Sequence, residues 1–182
     1  MRRCVIVRGL PGSGKSTLSR SIDDEAYGSV DRVESEPAFW SLMCSTDDYF
    51  MHDGEYKFDG RQLTQAHDWN RSRFERAIRN DYDLIIVDNT NTQFWEMAAY
   101  IESALNNNYH ISVVEPQTEW AFDVDRLFEK NTHGVPRKAI QAMKDRWDSL
   151  ISLRDTFEEK YKLRVDATII GGTVTSLEFH NG

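Results

Sequence analysis

Residues 4–16 read Cys4-Val5-Ile6-Val7-Arg8-Gly9-Leu10-Pro11-Gly12-Ser13-Gly14-Lys15-Ser16. An unbroken apolar run opens the stretch, and residues 9–16 fit G-x-x-x-x-G-K-[ST]. The run predicts a buried strand, and the apolar spacing of Leu18 and Ile22 predicts a helix after the turn. Strand, glycine-rich turn and helix are the context this phosphate-binding motif requires. Gly12 and Gly14 let the backbone wrap a phosphate with its N–H groups. The helix that begins near Lys15 aims its positive end at the same place. The predicted grip comprises Gly12, Ser13, Gly14, Lys15, Ser16 and Thr17. Lys15 would reach the β- and γ-phosphates of a nucleotide, and Ser16 would place its hydroxyl on Mg²⁺.

Further apolar runs at 42–44, 84–87 and 111–114 predict strands of a parallel sheet covered on both faces. Between and after them, three- and four-residue spacings predict helices. One carries Leu63, Ala66, Asn70, Phe74, Ala77 and Ile78. Another carries Phe94, Met97, Ala98, Ile101, Ala104 and Leu105. Trp120, Val124, Leu127 and Phe128 mark a fourth, and Ile140 through Tyr161 a single long fifth. The expected fold class is α/β, a P-loop NTPase-type parallel sheet sandwiched between helices with a helical lid. Residues 1–162 are read as the main domain, with the lid at about 126–139. Residues 163–182 are a C-terminal extension. Its β-prone runs around Gly171-Gly172 predict a hairpin or one added edge strand. Residues 23–40 are acidic and irregular and read as a surface excursion.

With 182 residues, 40% apolar and 29% charged, the composition is that of an ordinary globular domain. No apolar run reaches the roughly 20 residues of a membrane span. Two cysteines, Cys4 and Cys44, exclude a disulfide framework and a cysteine zinc site and suit a reducing compartment. With no targeting segment at the start, a cytoplasmic location is expected, with the nucleus as the alternative. Net charge is −8, so the whole chain is not a basic nucleic-acid binder. The acidity is uneven: residues 21–60 hold eleven acids and two bases, whereas residues 61–80 hold five arginines and two acids. A local basic surface for an anionic substrate is compatible with that distribution.

In an open α/β sheet the ligand lies beyond the carboxyl ends of the strands. Ser45-Thr46-Asp47-Asp48-Tyr49 follows one run and Asp88-Asn89-Thr90-Asn91 another. Asp47 is the candidate general base for a hydroxyl facing the γ-phosphate, and Asp88 the candidate Mg²⁺-ordering acid. Asp47 and Asp48 would equally suit a helix start, and Asp88 a turn; Asn89 and Asn91 read as turn-shaping residues. Arg126 and Lys130, four apart on one helix face, and Arg137 beyond the break at His133-Gly134-Val135-Pro136 are the lid cations. They would neutralise charge on the transferring phosphate or lie solvated on a helix hairpin. Trp69 is either a base-stacking residue or a packing residue.

These motifs in order, with Ala66-His67-Asp68-Trp69-Asn70 and Asn131-Thr132-His133-Gly134-Val135-Pro136 among them, closely resemble the P-loop kinase domain of the NEDD-four-binding protein two family. That family stands with the phage polynucleotide 5′-kinases and the N-terminal half of cyclic nucleotide phosphodiesterase. The resemblance covers about residues 3–150. It implies ATP- and Mg²⁺-dependent phosphoryl transfer to a hydroxyl, foremost a 5′-hydroxyl of DNA or RNA. It implies nucleic acid as a transient substrate, with no membrane. It also implies Asp47 as the base, Lys15 and Ser16 on nucleotide and metal, and a lid arginine on ATP. The chain departs from the phage kinase at Phe50, where that enzyme has an arginine holding the acceptor's phosphate. It also lacks an arginine between Asn131 and Gly134, leaving Arg137 as the nearest substitute. Two other readings stand beside the first. One is a kinase acting on a different hydroxyl, such as a hydroxymethyl group on a modified pyrimidine or a nucleoside. The other is a nucleotide-dependent binding module without transfer chemistry.

Overall fold

The computed structural model describes residues 1–27 and 41–180. Strand β1 (Arg3–Val7) sits between β5 (Leu84–Asp88) and β6 (His110–Val114) and pairs with both in parallel, Val5 opposite Ile86 and Ser112. Side chains alternate across a strand, so β1 feeds two cores. Val5 and Val7, with Leu84 and Ile86, meet Leu18, Ile22 and Ala26 of helix α1 (Lys15–Tyr27). Cys4 and Ile6, with Ile85 and Val87, face the larger core. Phe74, Ala77 and Ile78 of α2 (Leu63–Arg79) and Met97, Ile101 and Ala104 of α3 (Phe94–Asn106) fill it. The predicted coverage of both faces is present. No helix among the described residues is long and apolar enough to cross a membrane.

Strand β2 (Ser41–Cys44) pairs with β5 and not with β1, so the carboxyl end of β5 separates those of β1 and β2. A 3₁₀ turn, Thr46–Phe50, follows β2, and a two-residue-strand hairpin, β3 (Met51–His52) and β4 (Glu55–Tyr56), follows the turn. The full order is β2-β5-β1-β6-β8-β7.

The tail forms the expected hairpin, and it joins the sheet as two strands rather than one. Strands β7 (Arg164–Ile170) and β8 (Thr173–His180) form a hairpin whose turn residues Gly171 and Gly172 both have positive φ, 57° and 83°. Such turns match the strand twist and favour glycine. Strand β8 also pairs antiparallel with β6, so the hairpin extends the main sheet, and Val165, Leu177 and Phe179 join the larger core.

Three expectations need correction. The long fifth helix is two, α5 (Arg137–Asp145) and α6 (Leu150–Tyr161). The chain breaks because the Asp148 amide donates to Thr92 O (2.9 Å), the Asp148 carboxylate accepts from the Phe94 amide (2.8 Å), and the Ser149 hydroxyl caps α6 through Ser152 N. Trp120 lies before α4 (Val124–Lys130), which Asp123 caps. Of the surface excursion at 23–40, residues 23–27 continue α1, and residues 28–40 lie outside the described residues.

Candidate active site

The glycine-rich loop leaves β1 and closes on itself through Ser13 N to Leu10 O (3.1 Å). Gly12 and Gly14 have φ of 81° and 100°, a region that L side chains avoid. Two neighbours hold the loop from outside. Trp120 donates its indole N–H to Gly12 O (3.1 Å), and the Thr118 hydroxyl donates to Ser13 O (3.1 Å). The end of α4 packs directly on Gly12, where an added Cβ would stand 2.3 Å from Leu127 O and 2.9 Å from Asn131 N. Gly12→Ala therefore combines forbidden φ with a backbone clash, and about 1–3 kcal/mol of strain is expected. Limited proteolysis should show faster cutting between residues 120 and 136. Unchanged cutting together with an unchanged unfolding midpoint would refute the packing of α4 on the loop.

Lys15 lies in the loop's concave side, its ammonium 3.4 Å from Leu10 O. Burial lowers its pKa, and the carboxylates of Asp88 and Asp47 pull it back up. So the charges of two acids from different strands both act on one lysine. Asp88, 4% exposed, has its carboxyl raised by burial, with Lys15 and a hydrogen bond from the Ser16 hydroxyl opposing. Ser13 Oγ is buried with no hydrogen-bond partner among the described residues. Ser16 and Thr17 are exposed at the start of α1.

Asp47 is placed by a short chain of contacts. Asn89, at the end of β5, accepts the Thr46 amide (2.9 Å) and ties the turn after β2 to the turn after β5. Asn70 of α2 donates to the Thr46 hydroxyl (3.4 Å). Asn91, at φ 48°, donates to Val7 O (3.3 Å) and ties β5's turn to β1. Asparagine tolerates this left-handed backbone. Burial would raise the Asp47 pKa. A hydrogen bond and charge from His133, the Tyr56 hydroxyl and Lys15 outweigh it and hold the carboxyl below its usual range. The contacts are Tyr56 Oη to Oδ1 at 3.0 Å and His133 Nδ1 to Oδ2 at 3.1 Å. Tyr56 and His133 stack, with ring centroids 4.3 Å apart at 21°. The Asp47 side chain remains 48% exposed.

The expected lid cations lie on both sides of the segment break. Arg126 and Lys130 lie over Trp120, 5.3 and 4.4 Å from its ring centroid, which puts them beside the residue that holds Gly12. Arg137 pairs with Asp125 at 2.5 Å, both exposed. Asp48 pairs with Arg73 (2.8 Å), and that guanidinium lies over Trp69. Sequence reasoning passed over Tyr56 and gave His133 no contact with Asp47. The only signal for His133 was its place in the loop break, and nothing marked Tyr56. Among the described residues no group of three or more His, Cys, Asp or Glu is arranged to hold a metal alone.

Residues 4–150 match the sequence profile of a family described as an AAA domain, AAA_33. The chain is 37% identical over 149 residues, 82% of its length, to NEDD4-binding protein 2 of Homo sapiens, covering 8% of that protein. It is 33% identical over 126 residues, 69% of its length, to 2′,3′-cyclic-nucleotide 3′-phosphodiesterase of Rattus norvegicus, covering 26%. The chain thus spans about a quarter of one relative and less than a tenth of the other. In fold it resembles a chain of the Pnkp1/Rnl/Hen1 RNA repair complex, with TM-score 0.55, 17% identity, and coverage of 87% of this chain and 46% of that one. It also resembles APE1195, with TM-score 0.52, 15% identity, and coverage of 81% and 78%. Both likenesses speak to the α/β fold.

Proposed function

We propose a function from one premise: this chain belongs to the AAA domain family AAA_33, whose profile it matches over residues 4–150. The function is transfer of the γ-phosphoryl group of ATP to a hydroxyl of a nucleic acid, foremost a 5′-hydroxyl of DNA or RNA. The observation that carries it is the placement of Asp47, held by Tyr56 and His133, close enough to the glycine-rich loop for its charge and that of Lys15 to act on one another. A nucleotide-binding module needs the loop and its lysine. It has no use for a half-exposed carboxylate whose charge acts on that lysine. The relatives' names, one a cyclic-nucleotide phosphodiesterase and one part of an RNA repair complex, favour a nucleotide or nucleic-acid substrate.

Each residue then has a task. The loop amides, with the buried Ser13 hydroxyl, hold the β-phosphate. Lys15 offsets charge on the transferring oxygens. The acceptor oxygen bonds to the γ-phosphorus, its proton passes to Asp47, and the bond to the β-phosphate oxygen breaks to release ADP. The Ser16 hydroxyl and the Asp88 carboxylate touch each other. They form the hard oxygen pair that suits Mg²⁺ together with phosphate oxygens and water. When bound, that ion would neutralise charge on the β- and γ-phosphates.

A second reading keeps the reaction and changes the acceptor. Phe50 is 1% exposed and offers no charge to a phosphate. Arg73 and Arg61 near the same surface are paired with Asp48 and Asp59. That surface also suits an acceptor recognised by its base and sugar, such as a nucleoside or a hydroxymethylated pyrimidine. Labelled ATP offered with 5′-hydroxyl DNA, 5′-hydroxyl RNA, hydroxymethylated duplex and nucleosides separates the two. Product on the first pair supports the leading reading. Product on the others alone replaces it, and ATP binding with no product on any acceptor leaves a binding module.

A further inference from the structure

Both oxygens of Asp47 are taken by side chains from different elements. Tyr56 comes from β4, just beyond the Asp47 turn. His133 comes from the α4–α5 connection, far along the chain. The His133 loop is itself built to a shape. Asn131 accepts the Val135 amide at 2.8 Å and donates to Phe128 O at 2.7 Å, and Gly134 takes φ 67°. The same loop starts where α4 rests on Gly12, the Asn131 amide lying against that glycine. One segment therefore touches the glycine-rich loop with its backbone and Asp47 with its imidazole. Trp120 bridges loop and segment by its hydrogen bond to Gly12 O and its ring face under Lys130 and Arg126.

We propose that His133 is a positioning residue that links seating of the α4–α5 segment on the phosphate loop to orientation of the Asp47 carboxylate. The proposal rests on the kinase reading for its catalytic consequence, but the contact itself does not. Each carboxylate oxygen has two acceptor sites. The pair Tyr56–His133 takes one on each oxygen and leaves the others for the acceptor's hydroxyl. A freely rotating carboxylate would present the right lone pair only part of the time, and positioning of this kind commonly governs turnover more than binding. Stacking on Tyr56 fixes the imidazole plane, so the two residues brace one another. Among the described residues, His133 is the group of the α4–α5 segment that reaches Asp47, which gives seating of that segment a direct effect on the base.

The charged groups facing His133 are Asp47, Lys15 and Asp88. The hydrogen bond from Asp47 raises its pKa, with burial and Lys15 opposing. The contact is thus strongest where the carboxylate is ionised and the imidazole protonated, and it weakens as pH rises above the His133 pKa.

Two measurements test this. By NMR titration of the ring nitrogens in the full chain, the His133 pKa should fall by about one unit in Asp47→Asn, with Tyr56→Phe leaving it within a few tenths. In single-turnover transfer, His133→Ala should lower kcat about 10- to 100-fold with the KM for ATP changed less than about threefold. The acid limb of kcat/KM should move up by about one pH unit as Asp47 loses its partner. His133→Asn, whose amide N–H can replace Nδ1–H, should recover most of kcat without restoring the acid limb. An unmoved His133 titration in Asp47→Asn overturns the contact whatever the enzyme does. Transfer by His133→Ala at the wild-type rate overturns the positioning role while leaving the kinase reading intact. If the wild-type chain transfers to no acceptor, the kinase reading and the catalytic role of His133 fail together, and the titration alone decides the contact.

Discussion

Asp47→Ala is expected to lower phosphoryl transfer about 10²–10⁴-fold, the range a positioned general base supplies, while ATP binds within about threefold of wild type. The separation of the two effects follows from placement. The nucleotide would be held by the loop amides, Lys15 and Ser16, whereas Asp47 is carried by the turn after β2 and reaches the site from the side. Removing its carboxylate takes away one of two acids near Lys15 and leaves Asp88. A nucleotide-binding titration and a rapid-quench transfer assay on the same preparation make the comparison. Asp47→Asn should fall nearly as far, because the amide keeps the shape but accepts a proton poorly. Near-wild-type turnover by either variant removes Asp47 from the mechanism.

Arg8→Leu is expected to destabilise the fold by about 3–5 kcal/mol, a large share of the roughly 5–15 kcal/mol that holds a domain folded. Arg8 is fully buried at the start of the glycine-rich loop. Its guanidinium donates to Asn91 O (2.9 Å), Thr92 O (2.9 Å), Asp148 O (2.8 Å) and the Glu115 carboxylate (3.0 Å), and it lies 3.9 Å from the centre of the Trp147 ring. One side chain thereby closes the turn after β5, the end of β6 and the break between α5 and α6. Burial pushes the Glu115 carboxyl up to about 7, with Arg8 opposing. In the variant Glu115 can protonate, so the main cost is three carbonyls left without their donor, two of them in buried bonds and one in a partly buried bond, each buried one about 1–3 kcal/mol before relaxation. For a chain of this size the melting midpoint should fall by about 10 °C. Arg8→Lys should recover little, since one ammonium cannot span the four acceptors. A midpoint shift under about 2 °C in Arg8→Leu would show that the network contributes little to stability.

The loop itself was legible because its residues act on neighbours in the chain. Gly12 and Gly14 take the positive φ that only their own lack of Cβ permits, and Lys15 begins the helix whose apolar face Leu18 and Ile22 announce. The strands were legible because burial on both faces demands unbroken Val and Ile runs. Asp47 and Asp88 could be chosen because each follows such a run, and carboxyl ends of strands share one edge. The hairpin at Gly171-Gly172 was legible for the same local reason. Its attachment to β6 was not, since edge pairing depends on which strand is left open.

The sequence by itself determined the glycine-rich loop, the alternation of strands and helices, and the positions of two acids, one in the turn after β2 and one at the end of β5. Those features rest on backbone geometry and burial within a few residues. Only the tertiary structure decided that β5 stands between β1 and β2, that the helix ending at Asp145 stops so that Trp147 and Asp148 can meet Arg8 and Phe94, and that His133 reaches Asp47. These contacts join residues distant in the chain. Periodicity and turn chemistry carry no record of such pairings, because their energy comes from surfaces that meet only after the sheet has assembled.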